Sequence, residues 1–251
     1  MPSVCIVVPC FNEALRIDLG SFSAFVSERP DIDLIFVNDG SSDSTGELLG
    51  TFASERAHRS KVLNLSENRG KAEAVRQGMI MAFDSGRYDF VAFWDADLAA
   101  PLNEIAALET SAVTGNKRIA MASRMKRLGA EVERKAHRHV LGRIFSTFTS
   151  IILKLPVYDT QCGAKLFSSS VKPIFEQPFI SRWLFDVELL ARYHNTYGLK
   201  AALEGVFEVP VGKWKEKGGS KLGIMHMMKA PAELFMIWLK YNKGINETKR
   251  R

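Results

Sequence analysis

Two carboxylates stand one residue apart directly after an apolar segment, in the triplet Asp95-Ala96-Asp97 that follows Trp94. Side chains at positions i and i+2 of an extended backbone point the same way, so both carboxylates can reach one hard cation. Mg²⁺ and Mn²⁺ prefer oxygen ligands and often share them with substrate phosphates. The triplet therefore predicts a divalent-cation site, and a solvated turn ahead of a helix near Asn103 is the alternative.

A second acidic turn has the sequence Val37-Asn38-Asp39-Gly40-Ser41-Ser42-Asp43. Asp39 has the chemistry to accept hydrogen bonds from a ribose or a base. Asp, Gly and Ser also form turns and helix caps without any ligand. Taken alone, this segment fits both interpretations equally.

Several common catalytic motifs are missing from the sequence. There is no Gly-x-Gly-x-x-Gly after the first apolar segment and no P-loop, although Asn68-Arg69-Gly70-Lys71 opens a helical pattern. None of the five histidines lies in a nucleophile elbow. A dinucleotide oxidoreductase, a P-loop NTPase and a triad hydrolase are therefore disfavoured. Any phosphates would then be held by the metal and by side-chain cations, for which the candidates are Arg124, Arg127, Lys215, Lys217 and Lys221.

Apolar segments alternate with helical patterns over the first 125 residues. Strands are predicted at 4–9, 33–38, 61–65, 88–94 and 118–123, and helices at 44–57, 70–84 and 103–114. This alternation indicates an α/β fold with a mostly parallel sheet and covering helices. Ligands of such folds bind at the carboxyl ends of the strands, where the acidic turns fall.

Charge is distributed unevenly along the 251 residues. Residues 1–114 carry 9 Lys+Arg and 17 Asp+Glu, giving −8, whereas residues 115–251 carry 25 and 11, giving +14. The basic half predicts an anionic partner. Its cations are not interleaved with aromatic residues as in RNA-binding patterns, so we expect no nucleic-acid partner. Three cysteines and the lack of a signal-peptide pattern predict a cytoplasmic protein with reduced thiols.

Two amphipathic segments stand out in the basic half. Residues 138–155 place their apolar side chains on one helical stripe, and residues 222–241 are apolar nearly all round, with Pro231 expected to kink them. Such helices either pack together, within the chain or in a dimer, or lie in a membrane interface. We expect one catalytic unit over 1–221, which includes 138–155, and an amphipathic helix with a basic tail over 222–251.

Read together, the segments resemble the family 2 glycosyltransferases of the GT-A fold. The likeness spans nearly the whole chain and rests on four pieces in order: Val8–Glu13, Val37–Thr45, Asn68–Lys71 and Asp95–Leu98. The second half looks most like the polyprenyl-phosphate sugar synthases, in particular the dolichyl-phosphate glucosyltransferase type. Three segments carry that likeness: Asp159–Phe167, Arg182–Leu189 and Trp214–Lys221.

The resemblance implies roles for individual residues. The nucleotide-sugar donor is expected on Pro9, Phe11, Glu13, Asp39, Lys71, Asp95 and Ala96. Asp95 and Asp97 match the site of a divalent cation, Mg²⁺ or Mn²⁺. Arg124, Lys215 and Lys221 match cations around the diphosphate and the acceptor phosphate. The acceptor side is expected on Gln161, Arg182, Trp183, Asp186, Trp214 and Ser220.

Two departures from the dolichyl-phosphate mannose synthases bear on the donor. Those enzymes often have Gln as a third metal ligand where this chain has Ala99, and Arg where it has Lys215. Both differences, together with the Trp214 motif, favour a UDP-sugar donor over GDP-mannose. The resemblance thus implies an inverting, metal-dependent transfer of glucose to a polyprenyl or dolichyl phosphate. The enzyme would be peripheral on the cytoplasmic membrane face, with a membrane-protein partner or a second copy as a further partner.

Alternative functions follow from the same residues. A family 2 glycosyltransferase with GDP-mannose or with a different acceptor would share the donor site and differ only in the second half. A nucleotidyltransferase also uses paired acids but needs an NTP loop, which the sequence lacks. A non-catalytic protein that binds anionic lipid or nucleic acid would not need Asp95 and Asp97.

Overall fold

The computed structural model describes residues 2–133, 136–215, 217 and 224–247, and within these it gives no side-chain placement for 136–140, 224–228 and 242–247. The strands are β1 (Val4–Cys10), β2 (Ile32–Asn38), β3 (Ser60–Asn64), β4 (Phe90–Trp94), β5 (Ile119–Ser123), β6 (Glu131–Glu133), β7 (Ala164–Ser168), β8 (Val206–Pro210) and β9 (Lys213–Lys215). The helices are α1 (Leu19–Glu28), α2 (Thr45–Glu55), α3 (Lys71–Asp84), α4 (Ile105–Thr114), α5 (Ala136–Leu153), α6 (Phe185–Gly205) and α7 (Ile224–Glu247), with short 3₁₀ helices at Leu102–Glu104 and Ser169–Phe175.

Seven strands form one central sheet in the order β3-β2-β1-β4-β7-β5-β8. Its strand pairs are parallel except for those of β7, which lies antiparallel between β4 and β5. Strands β6 and β9 pair in parallel as a separate ribbon. The predicted α/β class with a mostly parallel sheet is confirmed, and all five predicted strands form within two residues of the predicted bounds.

Both faces of the sheet are covered, because its central strands are apolar on both sides. In β1, Cys5 and Val7 face one core and Val4, Ile6 and Val8 face the other. Helices α3, α6 and α7 supply side chains to the first core, and α1, α2 and α4 supply them to the second. This layering leaves the carboxyl ends of the parallel strands free to carry a site.

Helices α5 and α7 correspond to the two amphipathic segments and pack against each other. Each combines a buried face with an exposed apolar one. In α7, Ile237 is fully buried while Leu239 is 56% exposed. The helix continues through Pro231 without interruption. Among the described helices, none has the length and apolar character that crossing a bilayer requires.

Candidate active site

The turn after β4 presents both carboxylates of the Asp95-Ala96-Asp97 triplet. Its shape is fixed by internal hydrogen bonds: the Trp94 indole donates to the Ala100 carbonyl (2.7 Å), and the Ala99 amide donates to Asp97 Oδ1 (3.0 Å). The Leu98 amide donates to the Asp95 carbonyl (3.1 Å), and Leu98 adopts a positive φ of 51°. The turn therefore holds the two acids in place before any ligand arrives.

Charges of alternating sign extend from this turn into the sheet. The Lys71 ammonium, at the start of α3, forms an ion pair with Asp95 Oδ1. Burial alone would lower the pKa of Lys71, but Asp95 and then Asp186 outweigh it and the pKa is raised. Asp186 in turn pairs with Lys165 (2.5 Å), the second residue of β7, whose side chain is only 1% exposed. Asp186 is thus a buried partner of two lysines, behind Asp95.

The two acids can hold a cation only as part of a larger ligand set. Burial, and then the charge of Asp95, raise the pKa of Asp97, so two close carboxylates repel each other without a counter-charge. Asp95 Oδ1 is buried and is engaged by the Lys71 ammonium. Within the described residues, no group of three or more His, Cys, Asp or Glu side chains is arranged to hold a metal. The donor set fits a hard cation that takes its remaining ligands from water or a diphosphate.

A cavity of about 650 Å³ opens beside the second acid. Asp97 and Leu98 form one wall, and α1 forms the opposite wall. Arg16 and Lys217 add positive charge to its lining. A ligand bound at Asp97 therefore has room to extend towards α1.

Gly163 is required by the close approach of two loops at this turn. The Asp95 amide donates to the Gly163 carbonyl (2.9 Å), which joins the end of β4 to the start of β7. A β-carbon on residue 163 would lie 1.9 Å from Asp95 Oδ2, far inside contact distance. Any larger residue here must displace the carboxylate.

Asp39, after β2, is held by the loop that follows β3. The amides of Arg69 (2.8 Å) and Gly70 (2.9 Å) donate to its two oxygens, and Asn68 Nδ2 adds a third hydrogen bond (3.1 Å). Burial nevertheless raises the pKa of Asp39. Gly40 has a positive φ of 61°, and a β-carbon there would meet the Glu67 carbonyl carbon at 2.4 Å. The structure thus builds a rigid carboxylate cradle two strands from Asp95.

The loop after β1 is tied to the same edge. Pro9 lies opposite Val37 in the β1–β2 register, and Phe11 follows half-buried. The Glu13 amide donates to Thr45 Oγ1 (2.9 Å), and the Glu13 carboxylate pairs with Arg16 (3.2 Å). The residues expected around the donor nucleoside therefore meet at one edge of the sheet, with Ala96 buried beside them.

Arg182 lies nearer to Asp39 than its expected acceptor-side role implies. Its side chain runs along Gly70, with Cδ 3.7 Å from where a β-carbon of Gly70 would be. Its charge favours the ionised form of Asp39. It also lines a cavity of about 330 Å³ with Arg69 and Glu73. The structure therefore places Arg182 at the Asp39 end of the edge.

Arg124, directly after β5, is clamped by a residue that was not among the predicted site residues. Its Nε and Nη2 donate to the two oxygens of Asp159 at 2.7 and 2.6 Å, and its amide donates to the same carboxylate (2.9 Å). The guanidinium carbon also lies 5.4 Å from the centre of the Trp214 ring. Arg124 is thus a fixed cation rather than a mobile one, and Asp95 is among the charges that act on it.

Strand β9 brings Lys215 and Trp214 to the acidic turn. The Lys215 amide donates to the Ala99 carbonyl (2.9 Å). The Lys215 side chain is exposed and faces Glu133 at 3.7 Å. The predicted residues Ser220 and Lys221 lie outside the described residues.

Unsatisfied polar atoms concentrate where β5 ends and β7 begins. Gln161 Nε2, Thr160 Oγ1 and Ser123 Oγ are buried without hydrogen-bond partners in the described part of the chain. Gln161 Nε2 is therefore an unused hydrogen-bond donor in the segment ahead of β7. Trp183 lies nearby in sequence to Asp186, and its amide donates to Ser181 Oγ (3.2 Å) ahead of α6.

Sequence reasoning missed three residues that shape the site. These are Asp159, Gly163 and Lys165, all within the segment Asp159–Phe167 that carried part of the resemblance. The unusual Lys in an otherwise apolar strand was the one signal available for Lys165. Nothing in the sequence pairs Asp159 with Arg124, 35 residues away.

Solved structures with the same fold bind sugar nucleotides. One is the glucosyl-3-phosphoglycerate synthase of Mycobacterium tuberculosis with Mn²⁺, UDP-glucose and phosphoglyceric acid, at TM-score 0.67 and 17% identity over 96% of this chain and 79% of that one. The same enzyme with UDP matches at TM-score 0.66 and 19% identity, covering 94% of this chain and 80% of that one. The sheet, its helices and the acidic edge thus define a GT-A-fold protein.

Sequence comparisons give the family. The model of glycosyl transferase family 2 matches residues 5–174. A dolichyl-phosphate β-glucosyltransferase of Trichomonas vaginalis is 34% identical over 95% of this chain and 72% of its own length. The corresponding proteins of Drosophila melanogaster and Homo sapiens are 34% and 27% identical, each over 95% of this chain and over 75% and 76% of their own lengths. The chain belongs to glycosyl transferase family 2, which confirms the predicted family and enzyme class.

Proposed function

We propose that this glycosyltransferase moves glucose from UDP-glucose onto a polyprenyl or dolichyl phosphate. The observation that carries the proposal is one edge of the sheet on which a carboxylate cradle, a pair of acids and clamped cations follow one another. Relatives named for this reaction, similar over nearly the whole chain, support it. The likeness to enzymes solved with UDP-glucose supports the donor.

The nucleoside of the donor would sit at Asp39. Its carboxylate is held by backbone amides, so its orientation costs little when a ligand binds. Oδ1 retains a lone pair beyond the bond from Arg69, whereas Oδ2 already accepts from Gly70 and Asn68, and an imide N–H of a base such as uracil is a suitable donor to Oδ1. Arg182, along Gly70, is within reach of the same end of the ligand.

Asp95 and Asp97 would hold a Mg²⁺ or Mn²⁺ ion together with the donor diphosphate. Such an ion neutralises the charge that develops on the leaving diphosphate. A bound cation would weaken the ion pair between Lys71 and Asp95. The Lys71 ammonium would then be able to bind the diphosphate instead. Arg124, Lys215 and Lys221 would add positive charge on the acceptor side.

The acceptor supplies its own nucleophile. A phosphate monoester is largely ionised at neutral pH, so its oxygen can attack the anomeric carbon without a strong general base. The attacking oxygen forms the new C–O bond as the bond to the diphosphate breaks, and one displacement inverts the anomeric centre. This chemistry needs no free carboxylate as a base, and the acids of this site are engaged by lysines, backbone amides and an arginine.

A membrane surface would present the lipid acceptor. Helices α5 and α7 expose an apolar stripe, which we define as Leu141, Ile144, Phe148, Ile151, Phe235, Met236 and Leu239. The half of the chain that carries the stripe has a charge of +14, which favours anionic lipid. We therefore infer a peripheral enzyme on the cytoplasmic membrane face, and a membrane-protein partner or a second copy is the competing occupant of the stripe.

A transfer assay tests the proposal. The purified protein is incubated with a polyprenyl phosphate, Mg²⁺ or Mn²⁺, and labelled UDP-glucose or GDP-mannose in parallel. We expect metal-dependent movement of label from UDP-glucose into the organic phase. Transfer of label from GDP-mannose alone would mean that the donor is GDP-mannose. Transfer only to a soluble phosphate such as phosphoglyceric acid would mean that the acceptor is not a lipid phosphate.

A further inference from the structure

Arg124 depends on Asp159 for its orientation, and Asp159 lies on a loop. The loop joins the end of α5 at Leu153 to the start of β7 at Ala164, and contains Lys154 at a positive φ of 55°. A bidentate arginine–carboxylate pair fixes the plane of the guanidinium only if the carboxylate itself is fixed. Something outside the loop must therefore hold Asp159.

Glu208 does this from β8. Its Oε2 accepts the amide of Tyr158 (2.8 Å) and its Oε1 accepts the amide of Asp159 (2.6 Å). Burial raises the pKa of Glu208, and the two amide donors oppose that shift. One side chain thus pins two successive amides of the loop.

Both ends of the contact come from one strand pair. Glu208 lies opposite Met121 in the parallel β5–β8 register, and Arg124 follows the last residue of β5. The hydrogen bonds that link Glu208, Asp159 and Arg124 therefore begin on β8 and end directly after β5, two strands that are paired in the sheet. The position of Asp159 relative to Arg124 is then set by the sheet rather than by the loop.

We propose that Glu208 is a positioning residue that acts through Asp159 to orient the Arg124 guanidinium for the phosphate of the acceptor. The inference rests on the proposed function, since it needs an anionic acceptor at Arg124. A carboxylate is the side chain that suits the position, because two N–H groups donate to two separate oxygens. An amide offers one acceptor oxygen, and its NH₂ group would face the second N–H.

The central experiment compares Glu208→Gln with Arg124→Gln and with the double variant. We expect E208Q to lower kcat/KM for polyprenyl phosphate roughly 10- to 100-fold, the loss typical of groups that orient a contacting residue. The Kd of UDP should stay unchanged, since the Asp39 cradle lies elsewhere. R124Q should be impaired at least as much, and adding E208Q to it should cause no further loss, because coupled residues are not additive.

Two further variants keep the test decisive. Glu204→Gln, on the exposed end of α6, is the matched control and should behave as the wild type. Asp159→Asn weakens the contact with Arg124 directly, and its effect should also be non-additive with that of R124Q. This variant is used if thermal unfolding shows that E208Q folds poorly.

Three outcomes would overturn the inference. Wild-type kinetics in E208Q would mean that Arg124 needs no such support. Losses in E208Q and R124Q that multiply in the double variant would assign Glu208 a separate, structural role. A wild-type enzyme that transfers no sugar to polyprenyl phosphate would remove the proposed function itself, a result distinct from an active wild type with an unaffected E208Q.

Discussion

The proposed donor end of the edge, at Asp39, and the proposed acceptor end, at Arg124, are built from different kinds of contact. At the donor end, backbone amides of neighbouring loops hold Asp39. At Arg124, the Asp159 carboxylate accepts the guanidinium, and the Glu208 carboxylate accepts the backbone amide of Asp159. The same half of the chain carries α5 and α7, which expose apolar side chains. The first end is fixed mainly by backbone amides of one loop, and the second by the carboxylates of Asp159 and Glu208, which join distant segments.

This difference suggests how the two substrates are handled. The backbone amides that orient Asp39 do not depend on the side chains of Arg69 or Gly70, which suits a constant ligand such as a nucleotide. Side-chain pairs and exposed helices can change independently of the fold, which suits an acceptor that differs between relatives. The predictions below test this division, starting with the group that both substrates would share.

The largest loss of sugar transfer is expected at Asp97, in the acidic turn between Asp39 and Arg124. Asp97→Asn keeps the hydrogen bond from the Ala99 amide but removes a charge from the cation site. Sugar transfer should fall about 100- to 1,000-fold, the scale seen when one group that stabilises developing charge is lost. Asp84→Asn, at an exposed surface ion pair, is the control in the same assay. Normal transfer by D97N would refute the metal-assisted reaction.

A methyl group added at residue 163, beside Asp95, should lower kcat nearly as much. Gly163→Ala puts a carbon 1.9 Å from Asp95 Oδ2, so the carboxylate or the β7 loop must shift. Displacements of about 1 Å at a reacting centre can cost on the order of 100-fold in kcat.

Gly50→Ala is the matched control for this change. A β-carbon at Gly50, in α2, meets nothing within 4 Å, so kcat should be retained. Equal kcat values for G163A and the wild type would show that Asp95 tolerates movement and that the turn is not preorganised.

A smaller and more selective effect is expected at the donor end. Asp39→Asn keeps the shape of the side chain but loses a charge and one acceptor oxygen for the amides of Arg69 and Gly70. Losing a charge-assisted hydrogen bond of about 1.5 kcal/mol corresponds to roughly a tenfold weaker Kd for UDP. Titration calorimetry measures this, while KM for the acceptor should not change. An acceptor KM that rises together with the UDP Kd would contradict the division into two ends.

The two ends also differed in how far the sequence could predict them. Asp39 and Asp95 follow apolar strands, and parallel strands bring their carboxyl ends to one edge, so their proximity was predictable. Glu208 pairs with amides 50 and 49 residues away, and no local pattern marks such a contact. The antiparallel insertion of β7 was equally hidden, because Lys165 interrupts its apolar pattern and finds its buried partner only in the folded chain.

The apolar stripe gives the smallest predicted effect and tests the outer boundary of the acceptor end. Phe148 and Ile151 of α5 are 57% and 68% exposed. Replacing both with Ser should weaken binding to vesicles of phosphatidylcholine and phosphatidylglycerol about tenfold, since each side chain loses part of its roughly 1.5–3 kcal/mol of burial in lipid. Flotation with the vesicles measures this binding.

The matched control for the stripe lies on the opposite face of the sheet. Val113 of α4 is 54% exposed, so Val113→Ser removes exposed apolar surface away from α5 and α7. Its vesicle binding should equal that of the wild type, and both variants should keep their kcat on a short-chain acceptor in solution. If the stripe instead covers a second copy of the chain, F148S/I151S will shift the oligomeric state and leave vesicle binding intact. That result would move the acceptor's entry route from a lipid surface to a protein interface.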